Sequence, residues 1–139
     1  MKARVKWLEG RTFVGESGSG HAVVMDGAPE AGGRNLGIRP MEMLLVGLAG
    51  CTAFDVVHIL EKGREMVTSC DVEASAEREP TDPKIFTAIH LTYKLKGRNL
   101  KEAAVKRAID LSAEKYCSAS IMLAKTAKIT HSWTVEEEA

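Results

Sequence analysis

The chain has 139 residues, of which 45% are hydrophobic and 27% are charged, a composition typical of a folded domain and not of a disordered chain. Its 19 basic and 19 acidic side chains cancel, so no net field attracts a polyanion, and we expect no nucleic-acid partner. The length predicts a single domain over residues 1–139.

The longest stretch without charge, residues 43–54, is well short of the roughly 20 apolar residues that a membrane span needs. The first residues alternate between basic and apolar side chains and form no apolar signal core. We therefore expect no membrane partner and a cytoplasmic location. The three cysteines form neither a CxxC motif nor a Cys/His pair at zinc-ligand spacing, so we expect no metal site and no cofactor.

The first 26 residues predict three short strands. Apolar side chains at Ala3, Val5 and Trp7 alternate with basic ones, a turn follows at Glu9-Gly10, and residues 21–26 form the third strand. A glycine-rich loop then leads to Pro40.

A long helix is predicted over residues 41–62, because Pro40 suits a helix start and Gly63 suits a left-handed cap. Its apolar residues cover nearly the whole circumference, which indicates burial on most sides. Gly47 and Gly50 each cost about 1 kcal/mol relative to alanine. They indicate either tight helix packing or, in addition, a collar of small residues with room for a substrate.

The second half of the chain predicts a hairpin, two helices and a last strand. One strand places Cys70, Val72, Ala74 and Ala76 on its apolar face, and the next lines the core with Ile85, Thr87, Ile89, Leu91, Tyr93 and Leu95. Asn99 is expected to cap a helix over residues 100–115. A short helix at 118–125 and a strand at 129–135 follow, and the like charges at 136–138 predict a frayed end.

Strands grouped before and after a central helix predict the α+β class. One small sheet covers only one side of a helix that is apolar all round. We therefore expect a homodimer that encloses two such helices between two sheets.

The cysteines are the candidates for chemistry. Cys51 lies in mid-helix, where the helix dipole does little for its pKa, so a thiolate there needs a nearby cation; otherwise it packs as a small core residue. Cys117 lies at a helix junction beside Lys115, where unpaired N–H groups favour a thiolate, unless it is simply a buried junction residue. Cys70 is expected to pack in the core.

Spacing alone does not bring Cys51 and Cys117 together. If their Cα atoms lie within about 7 Å, the two thiols suit a cycle in which one is oxidised to a sulfenic acid and the other condenses with it.

Three segments together resemble the OsmC/Ohr family, and most closely its YhfA-like branch. They are Trp-Leu-Glu-Gly-Arg at 7–11, Pro-Met-Glu-Met-Leu-Leu-Val-Gly-Leu-Ala-Gly-Cys at 40–51 and Ala-Glu-Lys-Tyr-Cys-Ser-Ala-Ser at 113–120. The resemblance covers essentially the whole chain. It implies an OsmC-like fold of antiparallel sheets around a long central helix, an intertwined homodimer with sites at the subunit interface, and a thiol peroxidase that reduces small organic hydroperoxides with a dithiol reductant.

The resemblance also implies roles for single residues. Cys51 matches the family's peroxidatic cysteine and Cys117 its resolving cysteine. Arg11 is the best match to the arginine that holds the thiolate and the peroxide, although Arg34 or Arg39 could replace it.

The family's glutamate directly follows the proline, where this chain has Met41, and Glu42 lies one residue later. One residue turns a side chain by about 100° around a helix, so Glu42 either serves the site from another angle or only supplies a first-turn charge.

We expect an apolar pocket that draws on Leu48, Phe54 and Met122. Because of the change at Met41, a dimer that binds a small apolar ligand or senses redox state is the alternative to a peroxidase. A scaffold in which the cysteines only pack is a third possibility.

Overall fold

The computed structural model describes all residues, 1–139. Its strands and helices follow in the order β1 (Ala3–Glu9), β2 (Thr12–Ser17), β3 (Ala22–Met25), α1 (Pro40–Lys62), β4 (Met66–Arg78), β5 (Phe86–Arg98), α2 (Glu102–Leu111), α3 (Ser118–Leu123) and β6 (Lys128–Glu137). A π-helical turn, Ser112–Tyr116, joins α2 to α3. This order confirms the α+β class. The chain divides into two units, Met1–Leu45 and Val46–Ala139.

The first unit is built on an antiparallel sheet in the order β1-β2-β3. After β3, the buried carboxylate of Asp26 accepts hydrogen bonds from the Thr12 hydroxyl at 3.0 Å and from the Gly27 backbone N–H at 2.7 Å. Burial opposes the charge, but these bonds outweigh it and hold the pKa of Asp26 below its ordinary value. A Cβ at Gly33 would overlap the Gly27 carbonyl, so only glycine fits this fold of the loop.

The second unit contains the sheet β4-β5-β6, with β5 in the centre. The β4–β5 hairpin is antiparallel as predicted, but β6 runs parallel to β5, so this sheet is mixed. A parallel neighbour needs a long crossover, which α2, the π-helical turn and α3 provide. The core side of β5 is almost completely buried at Ile89, Leu91, Tyr93 and Leu95.

Helix α1 has the predicted bounds, but its burial differs from the prediction. One stripe is buried, formed by Leu48, Thr52, Val56 and Leu60. The opposite face is open in the single chain, where Val46 is 56% and Phe54 73% exposed. Nothing lies within 4 Å of a Cβ built at Gly47 or Gly50. The expectation of burial on most sides is therefore wrong for one chain, and these glycines pack against nothing in it.

By length and composition alone, α1 is also long and apolar enough to cross a membrane. The expectation that its apolar stretch is too short thus does not hold by this measure. The core helix of a soluble protein meets the same criterion. Here Thr52 of α1 hydrogen-bonds Tyr93 of β5 at 2.8 Å, and Leu48 and Val56 are completely buried in the same chain. Helix α1 thus packs one stripe against its own chain and leaves the opposite face open.

Two predicted boundaries are wrong. Asn99 does not cap α2, because it adopts a left-handed φ of 52° and the helix begins only after Lys101. Ile85 does not line the core, because the β4–β5 pairing shifts between Glu77 and Arg78 and Phe86 is buried in its place.

The acidic end of the chain is ordered, although we expected it to be frayed. Glu137 belongs to β6, and its carboxylate accepts the Asn99 backbone N–H at 3.1 Å. Glu136 pairs with Lys96 at 3.5 Å, and Glu138 accepts a hydrogen bond from Thr68 at 3.1 Å. Each of the three like charges thus has its own partner elsewhere in the chain.

Candidate redox site

Cys51 is half-buried on α1 and faces the start of α3. Its Sγ lies 3.9 Å from the Oγ of Ser118, the first residue of that helix. The backbone N–H of Ala119 and the thiol of Cys117 also lie near enough to help lower the pKa of Cys51. The site therefore joins two cysteines that are distant in sequence.

The two thiols differ in their ionisation. Burial alone would raise the pKa of Cys51, but the Ala119 N–H, the Cys117 thiol and the Ser118 hydroxyl outweigh it, and the pKa lies below its ordinary value. Cys117 is completely buried, and burial raises its pKa in spite of bonds from Ser120. Cys51 is thus the thiol that ionises first.

This difference corrects the expectation for the helix junction. The junction was expected to favour a thiolate at Cys117 and to leave Cys51 dependent on a cation. The N–H at the start of α3 acts instead on Cys51, while Cys117 caps the helix from inside the core, accepting the Ser120 N–H at 3.3 Å. Loss of hydration outweighs the donors at Cys117 because that sulfur has no access to water.

A chain of hydrogen bonds lies beneath Cys51 and ends on Asp55. Ser112 donates to the Asp55 carboxylate at 2.9 Å, and the Ser112 oxygen lies 2.8 Å from the Thr52 hydroxyl. Thr52 in turn lies 2.8 Å from the Tyr93 hydroxyl. A carboxylate only accepts, so every donor in the chain points towards Asp55. Burial raises the pKa of Tyr93 to about 12, which keeps its proton in place.

Asp55 lies one helical turn after Cys51. Its negative charge repels the Cys51 thiolate and so offsets part of the decrease in the pKa of Cys51. The hydrogen-bond chain fixes the position of this charge. Asp55 thus limits how far the α3 donors lower the pKa of Cys51.

The predicted arginines and glutamate belong to the first unit. Arg11 is exposed, and its Nη1 donates to the Gly10 carbonyl at 3.3 Å. Arg34 forms an ion pair with Glu9 at 2.8 Å and also donates to Thr12. Of these two guanidinium groups, Arg11 is therefore the one without an ion pair.

Arg39 donates to Asn35, and its backbone N–H donates to the Glu42 carboxylate at 2.9 Å. Glu42 is exposed in the first turn of α1. In this chain its carboxylate satisfies one of the free N–H groups at the helix start, the bond expected of a first-turn acid.

The expected pocket residues do not share one cavity within the chain. Leu48 is completely buried, whereas Met122 is 70% exposed. Phe54 lines an open groove of about 370 Å³ that also contains Cys70. Burial and the neighbouring Asp71 raise the pKa of Cys70, so less of this third thiol is present as the reactive thiolate.

The polar neighbours of Cys51 were absent from the sequence prediction. Asp55 offered one indication, since it is a carboxylate four residues after a cysteine in an apolar helix. Ser112 and Tyr93 offered none, because their approach to α1 depends on how β5 and the π-helical turn pack.

The geometry defines a small α+β protein in which Cys51 of the long helix faces Ser118, the residue that follows Cys117. A family model described as OsmC-like protein matches residues 32–132. The chain is also 53% identical to Protein YhfA of Escherichia coli (strain K12) over 138 residues, 97% of this chain and 98% of that protein. The chain therefore belongs to the OsmC-like family.

Solved structures agree with this assignment. The crystal structure of a hypothetical protein from Aquifex aeolicus VF5 is 30% identical and aligns with a TM-score of 0.87 over 99% of this chain and 97% of that one. The organic hydroperoxide resistance protein OhrB of Bacillus subtilis has the same fold at 17% identity, with a TM-score of 0.65 over 96% of this chain and 98% of that one.

Proposed function

We propose that the protein is a thiol peroxidase that reduces organic hydroperoxides with Cys51 and Cys117. The observation that carries the proposal is the pairing of a half-buried thiol of lowered pKa with a buried thiol of raised pKa. The family supports it, because fold relatives such as OhrB of Bacillus subtilis are named for organic hydroperoxide resistance.

The reaction balances with these two thiols and an external dithiol. The Cys51 thiolate attacks the terminal oxygen of the hydroperoxide, the O–O bond breaks, and the alkoxide leaves and takes up a proton as the alcohol. Cys51 is now a sulfenic acid. The Cys117 sulfur attacks the Cys51 sulfur, a disulfide forms, and hydroxide leaves with the Cys117 proton as water. The dithiol then reduces the disulfide and is itself oxidised.

The order of the two cysteines follows from their surroundings. A thiolate is the nucleophile, so the thiol of lower pKa reacts first. Cys117 has no contact with solvent, which protects it from peroxide until Cys51 is oxidised. In this proposal the two thiols cannot exchange roles.

For the remaining site residues we propose that Arg11, the best match to the family's arginine, steadies the thiolate and the peroxide; its guanidinium, like that of Arg39, is free of ion pairs. Glu42 has the weaker case, because its carboxylate already accepts the Arg39 N–H. We further propose a homodimer in the cytoplasm, where free thiols such as the three in this chain are maintained.

The test is turnover with cumene hydroperoxide and dithiothreitol, measured on three single variants. Cys51→Ser should abolish peroxide consumption. Without dithiothreitol, Cys117→Ser should consume about one equivalent of hydroperoxide and leave a sulfenic acid that dimedone labels, whereas the wild type should form a disulfide that dimedone does not label. Cys70→Ser is the matched control and should turn over like the wild type. Equal rates for the wild type and Cys51→Ser would refute the proposal.

A second candidate is a dimer that binds a small apolar ligand or senses redox state without turnover. The observation that favours it is the bond between Glu42 and the Arg39 N–H, which engages the only glutamate near the family's position. An apolar ligand found by mass spectrometry in the purified protein, with no peroxide consumption, would favour this candidate over the peroxidase.

A further inference from the structure

A cleft of about 570 Å³ lies between the last turns of α1 and the end of α2. Its lining is formed by Asp55, His58, Ile59, Lys62, Gly63, Arg107, Leu111 and Tyr116. The volume is within the range of small-molecule sites. Neither Cys51 nor Cys117 is part of the lining, although Asp55, whose charge acts on Cys51, lines the cleft.

The charges in the cleft are unbalanced. Lys62 and Arg107 are not among the ion pairs of the chain, which join Arg4 to Glu16, Arg34 to Glu9, Lys96 to Glu136 and Lys106 to Asp110. Asp110 follows Arg107 by three residues, but it is held by Lys106 at 2.6 Å. The only carboxylate in the lining, Asp55, already accepts the Ser112 hydroxyl. The lining therefore has two cations and one carboxylate, and neither Lys62 nor Arg107 forms an ion pair.

The rest of the lining is largely apolar. Ile59 and Leu111 supply aliphatic side chains from the two helices. Tyr116 adds an aromatic ring, and Lys115 lies over that ring at 5.3 Å. A ligand that satisfies both parts of the surface carries one negative group and an apolar body.

From this lining we propose that the cleft is a binding site for a small organic anion, a carboxylate with an aliphatic or aromatic body. The anion contacts Lys62 and Arg107, and the body lies against Ile59, Leu111 and Tyr116. Because the site contains neither cysteine of the pair, the inference stands or falls independently of the proposed peroxidase.

The experiment is a titration of the full-length, 15N-labelled protein with hexanoate, and with hexanol as its uncharged counterpart. Hexanoate should shift the backbone amide signals of Gly63, Leu111 and Tyr116 in a saturable way. Hexanol should bind about tenfold more weakly, because it leaves both cations without an anion.

Arg107→Met and Lys62→Met should each weaken hexanoate binding about tenfold. Lys101→Met is the matched control, since it removes one positive charge from the start of α2, outside the cleft, and it should bind as the wild type does. Cys51→Ser should also keep wild-type affinity whether or not the protein is a peroxidase. Equal affinity for hexanoate and hexanol, or unchanged binding by both cleft variants, would overturn the inference.

Discussion

The chemistry of single residues at the site depends on where hydrogen-bond donors point. The Ala119 N–H and the Ser118 hydroxyl both act on the Cys51 sulfur, and the nearest negative charge is that of Asp55. Donors to a thiolate stabilise the charged form, while a like charge and lost hydration destabilise it. Together these groups lower the pKa of Cys51, and no cation is among them.

Removing the Ser118 donor should make Cys51 less reactive. In Ser118→Ala the thiolate loses a partner, so the pKa of Cys51 rises and less thiolate is present at pH 7. We expect alkylation of Cys51 by iodoacetamide at pH 7 to slow about threefold, and its pH profile to move to higher pH. The measurement is the alkylation rate followed by mass spectrometry between pH 5 and pH 9.

Asp55→Asn is the matched opposite, because an amide accepts the Ser112 hydrogen bond but carries no charge. It should lower the pKa of Cys51 and move the alkylation profile to lower pH. Profiles that move in the same direction for both variants would contradict the assignment of these contributors.

At the scale of elements, the hydrogen-bond chain from Tyr93 to Asp55 ties α1 to β5 and to the π-helical turn. Thr52 is its centre, because its hydroxyl bonds both Tyr93 and Ser112. All three residues are completely buried. A buried polar group that loses its partner destabilises the fold more than the intact bond stabilises it.

Thr52→Val should therefore destabilise the protein by about 1–3 kcal/mol, since it leaves the buried Tyr93 phenol without an acceptor and the Ser112 hydroxyl without its donor. The measurement is urea unfolding followed by circular dichroism. Thr134→Val on β6 is the control; this threonine is exposed and the change should stay below about 0.5 kcal/mol. A Thr52→Val protein as stable as the control would show that the chain adds no stability.

Some of these elements could be predicted from the sequence alone, and others could not. The residues that start and stop a helix predicted the bounds of α1 well, because Pro40 and Gly63 act within one turn of the helix ends. The same kind of prediction failed at Asn99. Its side chain suits a helix cap, but its backbone turns left-handed between β5 and α2. The parallel pairing of β6 with β5 depends on packing between distant segments, which periodicity does not encode.

At the site, the sequence pointed to Cys51 and Cys117, and most strongly through their surrounding motifs. The residues alone favoured a thiolate at Cys117, whereas the resemblance made Cys51 the nucleophile; the pKa of Cys51 is lowered and that of Cys117 is raised. The reason is that burial decides the outcome, and burial at a helix junction is set by tertiary packing. Ser118 was missed for the same reason, whereas Asp55 lies one helical turn from Cys51 and could have been found from the sequence.

At the scale of the whole molecule, the single chain leaves a large amount of apolar surface exposed. In the first unit Val5 and Trp7 of β1 are 58% and 63% exposed, and no residue of that strand is buried. The open face of α1 adds Val46 and Phe54 next to two glycines that contact nothing. Apolar patches of this kind mark interaction surfaces. A second copy of the chain is the partner we propose, in agreement with the expectation for a helix that is apolar all round.

Phe54→Glu should break that homodimer. A carboxylate on the open face of α1 would have to leave water in the interface, in two copies, so association should weaken about a hundredfold or more. Sedimentation equilibrium at micromolar concentration should then report the 15.1 kDa monomer for the variant and twice that mass for the wild type. Ile85→Glu is the control, since Ile85 is an exposed apolar residue just before β5, away from α1 in sequence, and the variant should remain dimeric. A wild type that sediments as a monomer, or a Phe54→Glu protein with the wild-type mass, would remove this face of α1 from the interface.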